Sequence, residues 1–271
     1  MVSAALPQFN PARIRSYLLR LPIFTRVALF AIIALWFLSI LPLWDVQQWG
    51  ALIPNEIHLS TMHRLNTYPL VHLNFFHVLF NALALTPLLE RFEAEHGTLV
   101  TLAMFLGPLS TFPAGLYLLI ERVILRGNNA VEGASVWVFV LLAAEAIKTY
   151  KTNPHFSIGP YKIPTWSTPL ILTLVINFLV PSSSFLGHIC AIAVGYLFGF
   201  GYLKVFAPPE KALRWIEGKL DLLGRLPHYV SVDQKTYGRY GVLPSSTPTL
   251  AGAADGQVPM TYQGSTQRLG P

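Results

Sequence analysis

Long apolar runs broken by short polar stretches fill most of the chain up to residue 206. A helix that crosses the hydrocarbon layer needs about 20 mostly apolar residues. The pattern predicts six such spans: residues 23–43, 69–89 and 99–120, a fourth opening near Gly133 with "GASVWVFVLLAAEAI", a fifth over 168–181, and a sixth in "FLGHICAIAVGYLFGFGYLKVF". The fourth is short. The fifth, at about 14 residues, suits a re-entrant or buried segment equally well.

After Ala207 the pattern changes. "PPEKALRWIEGKLDLLGRL" sets Leu213, Trp215, Ile216, Leu220, Leu223 and Leu226 among basic residues. Such a helix lies on a bilayer surface or packs on the loops. From about Ser231 the chain is rich in Gly, Pro, Ser, Thr and Gln, with too few apolar residues to offset the entropy of folding. The expected division is a cytosolic segment 1–22, a six-helix membrane domain 23–206, an amphipathic helix 207–228 and a disordered cytosolic tail 229–271. The fold class is all-α and polytopic.

Composition agrees, with 53% hydrophobic and only 12% charged residues against about 25% charged in soluble domains. The first run is too long, and lacks the small-residue site, for a cleavable signal, so it is expected to stay as a span. Lys and Arg set orientation. Arg13, Arg15, Arg20 and Arg26 gather at the start of the first span, Lys148, Lys151 and Lys162 lie between the fourth and fifth, and Lys204, Lys211, Arg214, Lys219 and Arg225 follow the sixth. Both termini are therefore expected in the cytosol. The mostly acidic "ERFEAEHG" is assigned there too, since acidic residues contribute little to the rule. The net charge of +6 reads as topology and contact with anionic lipid rather than nucleic-acid binding. The single cysteine, Cys190, excludes an intrachain disulfide or a cysteine metal cluster.

Polar groups inside spans are costly and call for a partner or a function. The second span carries His72, His77 and Asn81. His77 and Asn81 are four apart and share a helix face, while His72 looks partly sideways. The fourth span carries Ser135 two residues after Gly133, and the sixth carries His188 after Gly187. In the predicted topology these spans all start from the outer face, so the polar groups converge in the outer half of the bilayer. A serine becomes nucleophilic when a histidine takes its proton, and Ser135 with His188 forms such a pair. The resulting oxyanion needs fixed donors, for which Asn81, His77 and the Ser135 amide are candidates, with Gly133 allowing close backbone approach. Ala191, Gly195 and Gly199 form a stripe of small residues that lets helices pack closely. Each feature alone has a plain structural reading; their joint occurrence on three spans carries the argument.

These residues resemble the rhomboid intramembrane serine proteases: His72-x4-His77-x3-Asn81, then Gly133-Ala134-Ser135, then Gly187-His188 followed by "AVGYLFG". The resemblance covers roughly residues 20–206. Arg64 occupies the arginine position of the family's Trp-Arg pair, with His63 in place of the tryptophan, and Glu93-x3-Gly97 matches a family motif. Phe139 sits where an aromatic ring stacks on the catalytic histidine. Two positions depart: Val136 replaces the glycine of Gly-x-Ser-Gly, and Ala191 replaces a glycine.

The resemblance implies cleavage of a peptide bond in or beside the transmembrane helix of a single-span substrate. A Ser135–His188 dyad would act with no metal or cofactor, His77 and Asn81 would hold the oxyanion, and the fifth span, with Asn177 and Phe178, would be the gate. It also points to the fungal Golgi-type branch, with Golgi or endosomal membranes and release of a membrane-tethered transcription factor. In the tail, "YQGSTQRLG", with Tyr262, Gly264, Leu269 and Gly270, resembles a peptide that docks on a cytosolic AAA segregase; its other reading is plain disordered tail. The alternative function is an inactive rhomboid-like adaptor that binds membrane clients for the segregase. A transporter fits less well, because no repeat with paired broken helices occurs.

Overall fold

A computed structural model of the chain describes residues 11–180 and 183–235. The expected segregase-docking residues Tyr262, Gly264, Leu269 and Gly270 lie outside the described residues, as does the rest of 236–271.

After α1 (Pro11–Arg20), α2 (Ile23–Ile40) takes up the first apolar run. It buries Phe24, Thr25, Ala28, Leu29 and Ile32 along one face and leaves Val27, Phe30, Ile33 and Phe37 exposed on the other. A connecting region with α3 (Val46–Gly50) and α4 (Arg64–Thr67) leads to α5 (Phe75–His96). The second span thus starts later than expected: Asn74 caps the helix, its Oδ1 accepting from the His77 N–H at 2.9 Å. His72 lies in the turn before the helix instead of on its face.

The third run divides at Gly107 into α6 (Thr98–Phe105) and α7 (Pro108–Leu118), continued by a π-helical turn Leu119–Ile124. Ile23–Ile40 and Thr98–Ile124 are each long and apolar enough to cross a membrane, and the segments Leu59–Leu70 and Phe75–His96 qualify together, bent by 76°.

The core forms around α8 (Ser135–Thr152), which buries Val136 through Leu141 and then Ala143, Ala144, Ala146 and Ile147. A helix that is apolar all round belongs in the interior. Against it lies α10 (Phe185–Phe200), brought close by its small residues. A Cβ on Gly195 would meet Ala143 Cβ at 2.7 Å, and one on Gly199 would meet Ile147 Cβ at 2.8 Å. By contrast, α9 (Thr168–Leu179) buries only Pro169 and Thr173.

Two ends of the bundle can be told apart. Buried Glu93, near the end of α5, accepts from the Phe24 and Thr25 N–H groups at the start of α2, at 2.9 and 2.8 Å. Lys148 of α8 reaches Glu95 of α5 at 2.8 Å. The start of α2 and the ends of α5 and α8 therefore share one side, and the starts of α5 and α8 lie on the other.

Two features of the described residues add to the expected pattern. The fold is not wholly helical: β1 (His155–Ile158) and β2 (Tyr161–Pro164) form an antiparallel hairpin between α8 and α9. Alternating Phe156, Ile158, Tyr161 and Ile163 around a Gly-Pro turn is a strand pattern within a polar connection. Nor does the packed chain stop at residue 228. Beyond α11 (Glu210–Leu220) and α12 (Leu222–Arg225), residues 228–235 run back over the bundle. Tyr229, Ser231 and Val232 are buried. The His228 carbonyl accepts from Ile23 N–H at 3.1 Å, and the Val230 carbonyl accepts from Thr98 N–H at 2.9 Å.

Candidate active site

Ser135 is the first residue of α8, and the strand-like approach to it is held on successive residues. Val131 and Leu52 exchange two backbone hydrogen bonds of 3.0 Å, and Gly133 N–H donates to the Tyr68 carbonyl at 2.9 Å. Ala134 N–H donates to His72 Nε2 at 3.1 Å. The other ring nitrogen of His72 faces the Leu70 carbonyl at 3.2 Å, which assigns the proton to Nδ1. His72 is therefore a brace on the turn that presents Ser135. Tyr68 and Leu52 share this role and carry no motif that singles them out in the sequence; the Tyr-Pro pair at 68–69 is the only local sign of a turn there.

Gly133 has φ of 111°, a region open to glycine and strained for other residues. It lies against His77 and Asn81: a Cβ there would fall 2.6 Å from His77 Nε2 and 3.5 Å from Asn81 Nδ2. His77 and Asn81 project from the first turns of α5, one turn apart, as their spacing predicts.

His188 stands in the first turn of α10, which Ser184 caps by accepting from Gly187 N–H at 3.1 Å. Its Nε2 is 3.1 Å from Ser135 Oγ. The buried Nδ1 of His188 has no hydrogen-bond partner, carboxylate or other, among the described residues. Phe139, one turn along α8 from Ser135, packs on the imidazole, with ring centroids 4.3 Å apart. Asn81 Nδ2 is likewise buried and without a partner. The structure thus brings Ser135, His188, His77, Asn81, Gly133, Phe139 and His72 together at one end of the bundle.

Chemically, the arrangement offers a hydroxyl within reach of a base and an unpaired amide donor close by. The Ser135 N–H adds a second donor, since the first N–H groups of a helix have no partner within it. Val136, bulkier than glycine, is buried beside the turn and packed within the core, so its methyls are absorbed by neighbours. The buried Arg64 donates to Glu56 at 2.7 Å and to the Gln48 carbonyl at 2.5 Å, and it holds the Glu56 carboxyl below its usual range. Next to Arg64, the His63 ring stacks on Trp49 with centroids 5.2 Å apart.

A family model described as the Rhomboid domain matches residues 59–205. The chain is 63% identical over 272 residues to rhomboid-type serine protease B of Aspergillus fumigatus, covering 100% of this chain and 99% of that protein. It is 57% identical to rhomboid-type serine protease 2 of Neurospora crassa, over 99% of this chain and 97% of the other. Similarity extends to rhomboid-type serine protease 2 of Saccharomyces cerevisiae, at 38% identity over 65% of this chain and 68% of that protein.

Proposed function

We propose that this chain, which belongs to the rhomboid family, is a serine protease that hydrolyses peptide bonds in or beside the transmembrane helices of other membrane proteins. It is an integral membrane protein. The observation that carries the reading is the 3.1 Å approach of His188 Nε2 to Ser135 Oγ, next to the unpaired donor of Asn81.

In this mechanism His188 takes the Ser135 proton as Oγ attacks the substrate carbonyl. The negative oxygen that forms is met by the Ser135 N–H, Asn81 Nδ2 and His77. Collapse expels the amine, which receives the proton from His188. Water, activated by the same imidazole, then hydrolyses the acyl-enzyme. A carbonyl inside a helix is shielded by its own hydrogen bonds, so suitable substrates are single-span proteins whose helix is easily unwound near the dyad.

The chain crosses the bilayer six times in this reading, with both termini in the cytosol, as the Lys and Arg distribution supports. Residence in the Golgi, release of a membrane-tethered transcription factor, and recruitment of an AAA segregase by residues 262–270 extend the same proposal. They rest on the sequence resemblance.

The deciding experiment co-expresses the chain, or its Ser135→Ala and His188→Ala variants, with a tagged substrate carrying a helix-destabilised transmembrane segment. Cleavage by the wild type and by neither variant is the expected result. No cleavage of several such substrates, with Ser135 unlabelled by a fluorophosphonate, would overturn the protease reading in favour of a client-binding adaptor.

A further inference from the structure

The hairpin between α8 and α9 projects at the end of α8 remote from Ser135. Its register pairs His155 with Pro164, Phe156 with Ile163, Ser157 with Lys162 and Ile158 with Tyr161. Directly paired residues share a face, and successive residues alternate between faces. Phe156, Ile158, Tyr161 and Ile163 therefore line one face, and His155, Ser157, Lys162 and Pro164 the other. Among the described residues nothing covers the apolar face: Phe156 is 37% exposed, Ile158 59% and Tyr161 73%. An isolated two-stranded hairpin is marginal in water, and this one turns its apolar side outward.

We infer that the apolar face of the hairpin is buried in the lipid leaflet on the side opposite the dyad, with Lys162 and Lys151 at anionic headgroups. Continuity identifies the occupant. Pro164 leads through the single turn Thr165–Ser167 into α9, whose Ile171, Leu172, Leu174, Val175, Phe178 and Leu179 are all exposed. That surface requires hydrocarbon around it, so the hairpin begins where the hydrocarbon ends. Trp166 and Tyr150, both exposed, flank the hairpin, and Trp and Tyr gather at membrane interfaces. Charge agrees with anionic lipid: between Glu145 and Glu210 the chain has no acidic residue, while Lys148, Lys151, Lys162 and Lys204 fall in that interval. A segment with one apolar face and one polar face that carries a lysine suits the interface plane. The start of α9 is already tied to protein, with Thr165 N–H donating to the Pro154 carbonyl at 2.9 Å and Tyr196 Oη donating to the Trp166 carbonyl; this anchor would add a lipid contact to it. The inference does not depend on the protease reading.

The test uses the full chain with Cys190→Ser, so that an introduced cysteine is unique. Ile158→Cys and Tyr161→Cys report the apolar face, and Ser157→Cys the polar one. Each is labelled with an environment-sensitive nitrobenzoxadiazole dye in phosphatidylcholine vesicles with or without phosphatidylserine. The expected result is blue-shifted emission at 158 and 161, quenched several-fold more by nitroxide-bearing lipid than by aqueous iodide, with the reverse at 157. Phosphatidylserine should strengthen the lipid quenching, and Lys162→Gln should remove that increment. Equal iodide quenching at 157, 158 and 161 would overturn the proposal. Shielding of 158 and 161 from both quenchers would also overturn it, in favour of a protein covering the face. An increment that survives Lys162→Gln would overturn the role given to Lys162.

Discussion

Gly133 and His77 meet so closely that a single methyl on the glycine would lie 2.6 Å from His77 Nε2 and 2.7 Å from its Cε1. The positive φ of Gly133 adds strain for any other residue. Gly133→Ala is expected to push His77 from the site and reduce cleavage about 100-fold, the scale of losing one oxyanion donor. The strained backbone should cost roughly 1–3 kcal/mol of stability. Cleavage of a tagged substrate and thermal unfolding in detergent report the two effects. Wild-type turnover in the variant would mean that His77 need not stand where it does.

Asn81 separates catalysis from stability in a different way. Its Nδ2 is buried and has no hydrogen-bond partner among the described residues, so removing it breaks no bond to them. Asn81→Ala is expected to lower kcat about 10²–10³-fold with an unchanged or higher melting temperature, because an unpaired buried donor is costly. A fall in stability together with unchanged kcat would make the residue a structural bridge.

The polar groups of the site could be gathered from sequence because each sits at a fixed offset within its own helix. His77 and Asn81 share a face at a spacing of four, and Ser135 and His188 both lie where apolar runs begin. His72 was harder to place. Its role depends on the helix starting at Asn74, whose cap puts the histidine in the preceding turn, where its ring reaches a backbone N–H 62 residues away. The hairpin left a legible trace in the alternation of Phe156, Ile158, Tyr161 and Ile163. The segment 229–235 left none, since its polar composition matches the tail and its anchors are hydrogen bonds to residues such as Thr98, 132 positions away. Local pattern carries no information about such partners.

Glu132, in the turn just before α8, makes stability depend on pH. Burial raises its carboxyl from 4.5 to about 7, and nearby Asp45 adds to the effect. The folded chain therefore holds this proton more tightly than the unfolded chain. The associated stability is full below the unfolded value of about 4.5 and is lost as pH rises through about 7. The melting temperature in detergent should carry a falling contribution across that window that levels off above it. Glu132→Gln should remove this contribution and exceed the wild type in stability at about pH 8. If the variant keeps the wild-type profile, the dependence belongs to another group.

The segment 228–235 should behave as part of the membrane domain. Thr98 Oγ1 donates to buried Glu93 at 2.7 Å and accepts from Val230 N–H at 2.9 Å, so the strap closes onto the same carboxylate that caps α2. On its other side, Glu217 of α11 accepts from Tyr229 Oη at 2.8 Å and Val232 N–H at 3.0 Å, which ties the amphipathic helix to the strap. A chain ending after Arg225 loses these bonds and the burial of Tyr229 and Val232. At about 1 kcal/mol net for each hydrogen bond, with further loss from apolar surface, it should be destabilised by roughly 4 kcal/mol or more. A chain ending after Lys235 keeps every one of these contacts and should melt with the full-length protein. Thr98→Val, which removes the hydroxyl from both of its hydrogen bonds, should fall between them, at about 1–3 kcal/mol. Thermal unfolding of the three variants in one detergent measures the series, and equal melting temperatures for the two truncations would show that the strap adds nothing to the fold.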